Sequence, residues 1–184
     1  MEPILIRKAT IEDLPQVREI CRATCTSPYL LEHPKTLYLL YADYYLNEEQ
    51  GHCFVAVAHD KIIGYILSSF DQASFVRVMK AKYLPVLKAS DPHIYHQEKA
   101  YLFACHFWAS YRAHLHIDIL PEYQHQGIGS RLMENLVITL RMAKVKKVYL
   151  AVSSSHVHAL AFYHKNHFKT LYHVPGSYVL GRKL

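Results

Sequence analysis

The chain has 184 residues, 51% hydrophobic and 20% charged, which suits one well-buried core and argues against disorder or a second domain. Lys and Arg outnumber Asp and Glu by 21 to 15, yet only Lys144, Lys146 and Lys147 cluster. The excess argues for attraction of a polyanionic small ligand rather than nucleic acid. No stretch approaches the about 18 uninterrupted apolar residues of a membrane span and no cleavable signal opens the chain, so a cytoplasmic protein without membrane association is expected.

In chain order, residues 4–7 read as a short strand. Thr10-Ile11-Glu12-Asp13 opens a helix with a capping-box-like Thr and an acidic first turn, and Leu14, Val17 and Ile20 face inward to about Ala23. A second helix is predicted over 35–46, carrying Tyr38, Tyr41, Tyr44 and Tyr45. These rings either shape a pocket or fill a core edge with their hydroxyls in water. Residues 52–58 and 62–70 form a hairpin around His59-Asp60-Lys61, with Gly64 in its second strand and Asp71 at that strand's end, near where a substrate would enter.

The segment 72–112 is unusually long for a connection. Phe75, Val78, Met79 and Lys82 give it helical character up to Leu87, and Pro92 breaks it. An insert of this length beside a site reads as a lid or a specificity element.

Residues 114–131, HLHIDILPEYQHQGIGSR, organise the chain. Leu115, Ile117 and Ile119 alternate with His116 and Asp118, the period of a strand, which Pro121 ends. Leu132, Met133, Leu136, Val137, Leu140 and Ala143 then recur at helical spacing from about Gly127. The loop between is a helix N-terminus, whose unpaired amides and dipole favour a phosphate. Gly127 and Gly129 fit it, because a residue without a Cβ admits a pyrophosphate against the backbone and tolerates positive φ. A dinucleotide loop fits less well: Leu132 stands where a third small residue is needed, and the next strand ends in Ser153 rather than an acid. A P-loop fails for want of Gly-Lys-Ser/Thr. Tyr149-Leu150-Ala151-Val152 reads as the following strand, and 168–184 as two antiparallel strands around Pro175-Gly176-Ser177.

Cys21, Cys25, Cys53 and Cys105 lack C-x-x-C pairing and read as thiols rather than a disulfide frame, with Cys21 and Cys25 packing on one helix face. The 14 histidines offer nominal pairs at His114-x-His116, His156-x-His158 and His164-x-x-His167, but no cysteine or carboxylate completes them and no metal is expected.

Gln124-x-x-Gly127-x-Gly129 resembles the Q/R-x-x-G-x-G/A signature of the GCN5-related N-acetyltransferases, and Ala159, Phe162-Tyr163 and Phe168 fall where that family has A-x-x-F/L-Y-x-x-x-G-F. The resemblance implies an α/β acyl-CoA N-acyltransferase fold: a mixed, mostly antiparallel central sheet with helices on both faces, in one domain over 1–184 with an insert at about 72–112. It implies acetyl-CoA as co-substrate and direct transfer to a primary amine of a small molecule or protein. The loop Gln124, His125, Gln126, Gly127, Ile128, Gly129, Ser130 and Arg131 would hold the pyrophosphate through its backbone, with side-chain identity at His125, Gln126 and Ile128 mattering little. Pantetheine would run along Ile117, Asp118 and Ile119, where the strand splays from the next. His156 stands where the family usually has a cofactor-contacting asparagine, and His167 where it has a glycine.

Tyr163 matches the family's general acid, a phenol protonated at neutral pH. For the base, Asp118 is the first choice and His116 the second, both on one strand face with His114. Arylalkylamine acetyltransferases carry a His-Leu-His in this strand, but one residue out of register, and the glutamate of the protein-N-terminus acetylating members corresponds to Ala151. The insert, with Gly64-Tyr65-Ile66-Leu67 and Leu115-His116-Ile117-Asp118, also looks like bacterial relatives of the acetyltransferase-like domain beside O-GlcNAc hydrolases. The C-terminal hairpin implies an element closing the acceptor side, with Tyr178 toward the site, in a monomer or a homodimer. A non-catalytic acyl-CoA-binding sensing or scaffold module is the alternative of another class.

Overall fold

The computed structural model describes residues 3–104 and 110–184. Cys105, one of the four cysteines read above, lies outside them. The strands are β1 (Leu5–Lys8), β2 (Phe54–Ala58), β3 (Lys61–Ser69), β4 (Ala113–Ile119), β5 (Lys147–Ser153), β6 (Lys169–Val174) and β7 (Ser177–Lys183). They form one sheet in the order β1-β2-β3-β4-β5-β7-β6, with every neighbour antiparallel except the parallel pair β4 and β5. The mostly antiparallel α/β architecture and the C-terminal hairpin are as the sequence predicts.

The helices are α1 (Leu14–Thr24), α2 (Pro28–Glu32), α3 (Pro34–Tyr41), α4 (Asp43–Glu48), α5 (Gln72–Val78), α6 (Leu84–Ser90), α7 (Pro92–Ala104), α8 (Ile128–Met142) and α9 (Val157–Lys165). Before α1, Asp13 accepts from the Thr10 amide at 2.9 Å and from Arg7 at 2.7 and 2.8 Å, so the cap is also an ion pair tying β1 to α1. The single helix expected over 35–46 is instead two. The break falls at Ala42 (φ −130°), which lets Asp43 pair with Arg18 at 2.7 Å while Tyr44, Tyr45 and Leu46 turn into the core.

Pro92 both ends a helix and starts one. Asp91 caps α7 through the Ile94 amide at 3.1 Å, and a proline in the first turn has no N–H to lose. Asp71, expected near the substrate entrance, caps α5 instead, accepting from the Ser74 amide at 2.9 Å and pairing with Arg112. It does not line the site described below.

Period-two alternation in β4 divides two cores. Leu115 and Ile117 face a cluster containing Ile128, Leu132, Met133, Leu136, Val137 and Leu140 of α8, together with Tyr163 of α9. Burying each large side chain of that stripe stabilises by about 1.5–3 kcal/mol, which fixes where the start of α8 lies. His114, His116 and Asp118 point to the other face, toward the layer of α1 to α7, whose core includes Tyr45, Tyr65, Leu67 and Phe75.

Candidate functional site

The parallel pairing of β4 with β5 consists of Ala113 with Val148 and His114 with Tyr149. Beyond it the strands diverge, whereas the other edge of β4 stays paired to β3 from Ser69–His114 to Gly64–Ile119. Gly64 permits that closeness, since a Cβ there would lie 3.0 Å from the Asp118 carbonyl oxygen. A cavity of about 490 Å³ opens in the gap, lined by residues 114–118 of β4 and 149–153 of β5. Cys21, Thr24, Tyr41, Glu98, His156 and Tyr163 complete much of its wall.

Asp118 stands in this cavity. It is the cross-strand partner of Tyr65, whose hydroxyl donates to Oδ2 at 2.5 Å. Burial pushes the carboxyl up to about 6, against the opposing effect of the hydrogen bond from Tyr65. At neutral pH it is therefore mostly ionised, with a proton affinity suited to a general base. His116 lies two residues away, edge-on to Tyr41 and Tyr45 at 5.1 and 5.6 Å. Burial pulls its imidazole down to about 4, making it a poorer proton acceptor than Asp118. His114 is fully enclosed, with Nε2 3.0 Å from the Tyr45 hydroxyl, and burial lowers it to about 3.

Tyr163 reaches the same cavity from α9, with its ring between those of Phe162 and Phe168. Burial, and then the charge of Asp118, holds its phenol protonated far above the ordinary range. It can hydrogen-bond to a leaving atom as negative charge builds there and pass it a proton, although it is a weaker acid than a free phenol. Asp118 and Tyr163 thus occupy one void, reached from opposite faces of the split sheet.

The loop before α8 has the expected geometry. His125 (φ 61°) and Gly127 (φ 77°) are left-handed, and such turns bring successive amides to one side. The ladder of α8 begins with the Arg131 amide on the Gly127 carbonyl at 3.2 Å, so the amides of Ile128, Gly129 and Ser130 stand ahead of it. Those amides at the head of a helix, together with the open edge of β4, fit a long ligand carrying a diphosphate at one end and amides along its arm.

The side chains have other duties. Gln124 donates to the Ile119 carbonyl at 2.8 Å and Gln126 to the Glu122 carbonyl at 3.1 Å, bracing the loop. Arg131 reaches the Ile4 carbonyl at 2.8 Å, so its guanidinium is committed to the β1 edge. Ser130 is 3.5 Å from the Asn166 amide nitrogen. Two expectations are corrected. Ile128 is buried in the core, so its identity matters. Gly129 lies in helix, and a Cβ there would sit 2.9 Å from the Phe162 ring; its smallness serves the α8–α9 contact. His156 lines the cavity and places Nε2 3.1 Å from the Thr26 hydroxyl. Ser177 rather than Tyr178 reaches the cavity, and Tyr178 packs on His173 at 4.7 Å.

Of the four tyrosines of the second predicted helix, Tyr41 and Tyr45 line the cavity, while Tyr44 is core. Glu98 of α7 was not foreseen. It lines the cavity, and burial raises its carboxyl to about 7. Its signal in the sequence was position: Ile94, Glu98 and Tyr101 recur at helical spacing, placing a carboxylate on the inward stripe. Among the described residues no group of three His, Cys, Asp or Glu is placed to hold a metal ion, and no helix is long and apolar enough to cross a membrane.

Residues 14–168 match the profile of the Acetyltransferase (GNAT) family. An N-alpha-acetyltransferase from Saccharolobus solfataricus is 24% identical over 181 residues, covering 96% of this chain and 86% of that protein. The crystal structure of SsHAT superimposes with a TM-score of 0.86 at 27% identity over 98% of both chains. The PaiA N-acetyltransferase of Thermoplasma acidophilum, solved with coenzyme A, shares the fold with a TM-score of 0.69 at 20% identity over 99% of both chains.

Proposed function

Given that the chain belongs to the Acetyltransferase (GNAT) family and is an acyl-CoA-dependent N-acetyltransferase, we propose that it acetylates a primary amine, of a small molecule or a protein, within the gap between β4 and β5. The observation that carries this reading is that Asp118 and Tyr163 face one cavity where the two strands part.

Acetyl-CoA supplies an activated acyl carbon. The amides of Ile128, Gly129 and Ser130 would hold its diphosphate, and the open edge of β4 at Ile117 to Ile119 its arm. Asp118 takes the proton that the amine loses as its N–C bond forms. Tyr163 gives a proton to the sulfur as the C–S bond breaks, and recovers one from solvent. Holding both reactants in register supplies much of the acceleration, because one bound complex replaces a chance encounter. His116, held neutral, and His156, bonded to Thr26, shape the chamber rather than move protons.

The α-amine of a protein belongs among the acceptors to test because of the Saccharolobus relative's activity. A likeness to the domains beside O-GlcNAc hydrolases, expected from the insert, Gly64-Tyr65-Ile66-Leu67 and Leu115-His116-Ile117-Asp118, contributes nothing to acceptor choice. Incubation with acetyl-CoA and a panel of amines and short peptides, following free thiol, tests the reading. Acceptor-dependent thiol release lost in Asp118→Asn supports it. Tight coenzyme A binding with no release above background would instead make the chain a non-catalytic acyl-CoA-binding module.

A further inference from the structure

A second cavity, of about 540 Å³, adjoins the first between α2, α3 and α7. Glu98, Tyr41 and Tyr101 line both, so the two cavities share a wall to which Glu98 contributes. A void of this size suits a small molecule rather than a large surface. In a chain of net charge +6, no lysine or arginine among the described residues lines either cavity, whereas two carboxylates, Asp118 and Glu98, do.

Asp118 has a partner in Tyr65. Glu98 makes no hydrogen bond and no ion pair among the described residues, and burial alone governs its proton. Tyr41 lines the first cavity with both carboxylates, and its phenol is raised to about 12 by burial, then by Glu98, Cys21, Cys25 and Asp118. A half-buried carboxylate with no cation beside it among the described residues is costly to keep ionised, and a ligand that brings a cation relieves that cost.

We propose, on the footing that this chain acetylates a primary amine, that its acceptor is a small diamine. The reacting nitrogen meets Asp118, and the second, protonated nitrogen pairs with Glu98 beside the rings of Tyr41 and Tyr101. An ammonium there gains a charge-assisted hydrogen bond in a wall that two phenol rings also line. The insert carrying α7 would then set acceptor choice, through a residue outside the reacting centre.

The test compares α,ω-diamines from propane to hexane chains with n-alkylamines of matched length, at pH 8, with acetyl-CoA and a thiol readout. The expected result is a kcat/KM at least tenfold higher for the best diamine than for its matched monoamine. Glu98→Gln should bring that ratio to near one, with folding checked by its melting curve. Equal turnover of diamines and monoamines by the parent protein would overturn the diamine while leaving amine acetylation standing. A diamine preference that survives Glu98→Gln would overturn the role of Glu98. An equal loss for both amine classes in that variant would make Glu98 a proton relay and overturn the cation site. If coenzyme A binds but no amine reacts, the transfer reading and the diamine fall together.

Discussion

Tyr65 and Asp118 oppose each other across the β3–β4 pair, with the Tyr65 hydroxyl 2.5 Å from Oδ2. Burial raises the Asp118 carboxyl while this hydrogen bond lowers it, and the balance stands at about 6. The base form is the ionised one, so acetylation should rise with pH through an acid limb near 6. Asp118→Asn is expected to reduce kcat by ~10²–10⁴ and remove that limb. Tyr65→Phe deletes the donor that favours the carboxylate, so the limb should move to higher pH. A limb that stays in place in Tyr65→Phe would mean that another group carries it.

Tyr163→Phe keeps the ring packed between Phe162 and Phe168 while deleting the proton. The expectation is a fall in kcat of ~10² or more with little change in KM for the amine. Single-turnover kinetics locate the loss at the chemical step. Full turnover by the variant would assign the departing sulfur's proton to solvent.

Two glycines of the loop should fail for different reasons. At Gly127 there is open space but φ is 77°, so Gly127→Ala costs about 1–2 kcal/mol of backbone strain and should weaken coenzyme A binding measured by calorimetry. At Gly129 an added methyl meets the Phe162 ring, so Gly129→Ala should lose about 1–3 kcal/mol by overpacking. Adding Phe162→Leu should restore part of the melting temperature only in the Gly129 variant. Equal rescue in both would show that one mechanism serves the two positions.

Glu98 makes a stability prediction independent of any acceptor. Its folded value of about 7 lies above the unfolded 4.5, so between those pH values the unfolded chain sheds a proton that the folded chain keeps. Stability therefore falls as pH rises through this window, by up to about 3 kcal/mol. Glu98→Gln should melt higher than the parent at pH 8 and no higher at pH 4. A variant that melts lower at pH 8 would reveal a partner for the carboxylate.

Much of the site is legible because it depends on short-range pattern. The alternation of Leu115, Ile117 and Ile119 puts His116 and Asp118 on one face, and the spacing of Leu132, Leu136 and Leu140 announces α8. The rest depends on what lies across space. Nothing local to Gly129 says that Phe162 presses on it, and nothing local to Asp118 says that Tyr65 binds it. The split of residues 35–46 at Ala42 follows from Arg18 drawing Asp43, a contact 25 residues apart. Glu98 sits in a polar HQEK run that reads as solvent-facing until Ile94 and Tyr101 are seen to share its stripe. The short α2 carried its own mark, Ser27 accepting from the Leu30 amide at 3.3 Å ahead of Pro28, but a helix of five residues is too brief for periodicity to register.

Where β4 turns away from β5, the sheet exposes bare peptide groups in its middle rather than at its rim. A rim of that kind invites another polypeptide to add itself, with aggregation as the hazard. Here the gap opens into a cavity walled by β4, β5 and the helices packed on them. The same unpaired edge that would be a liability on the outside becomes, inside, a surface that a ligand can complete.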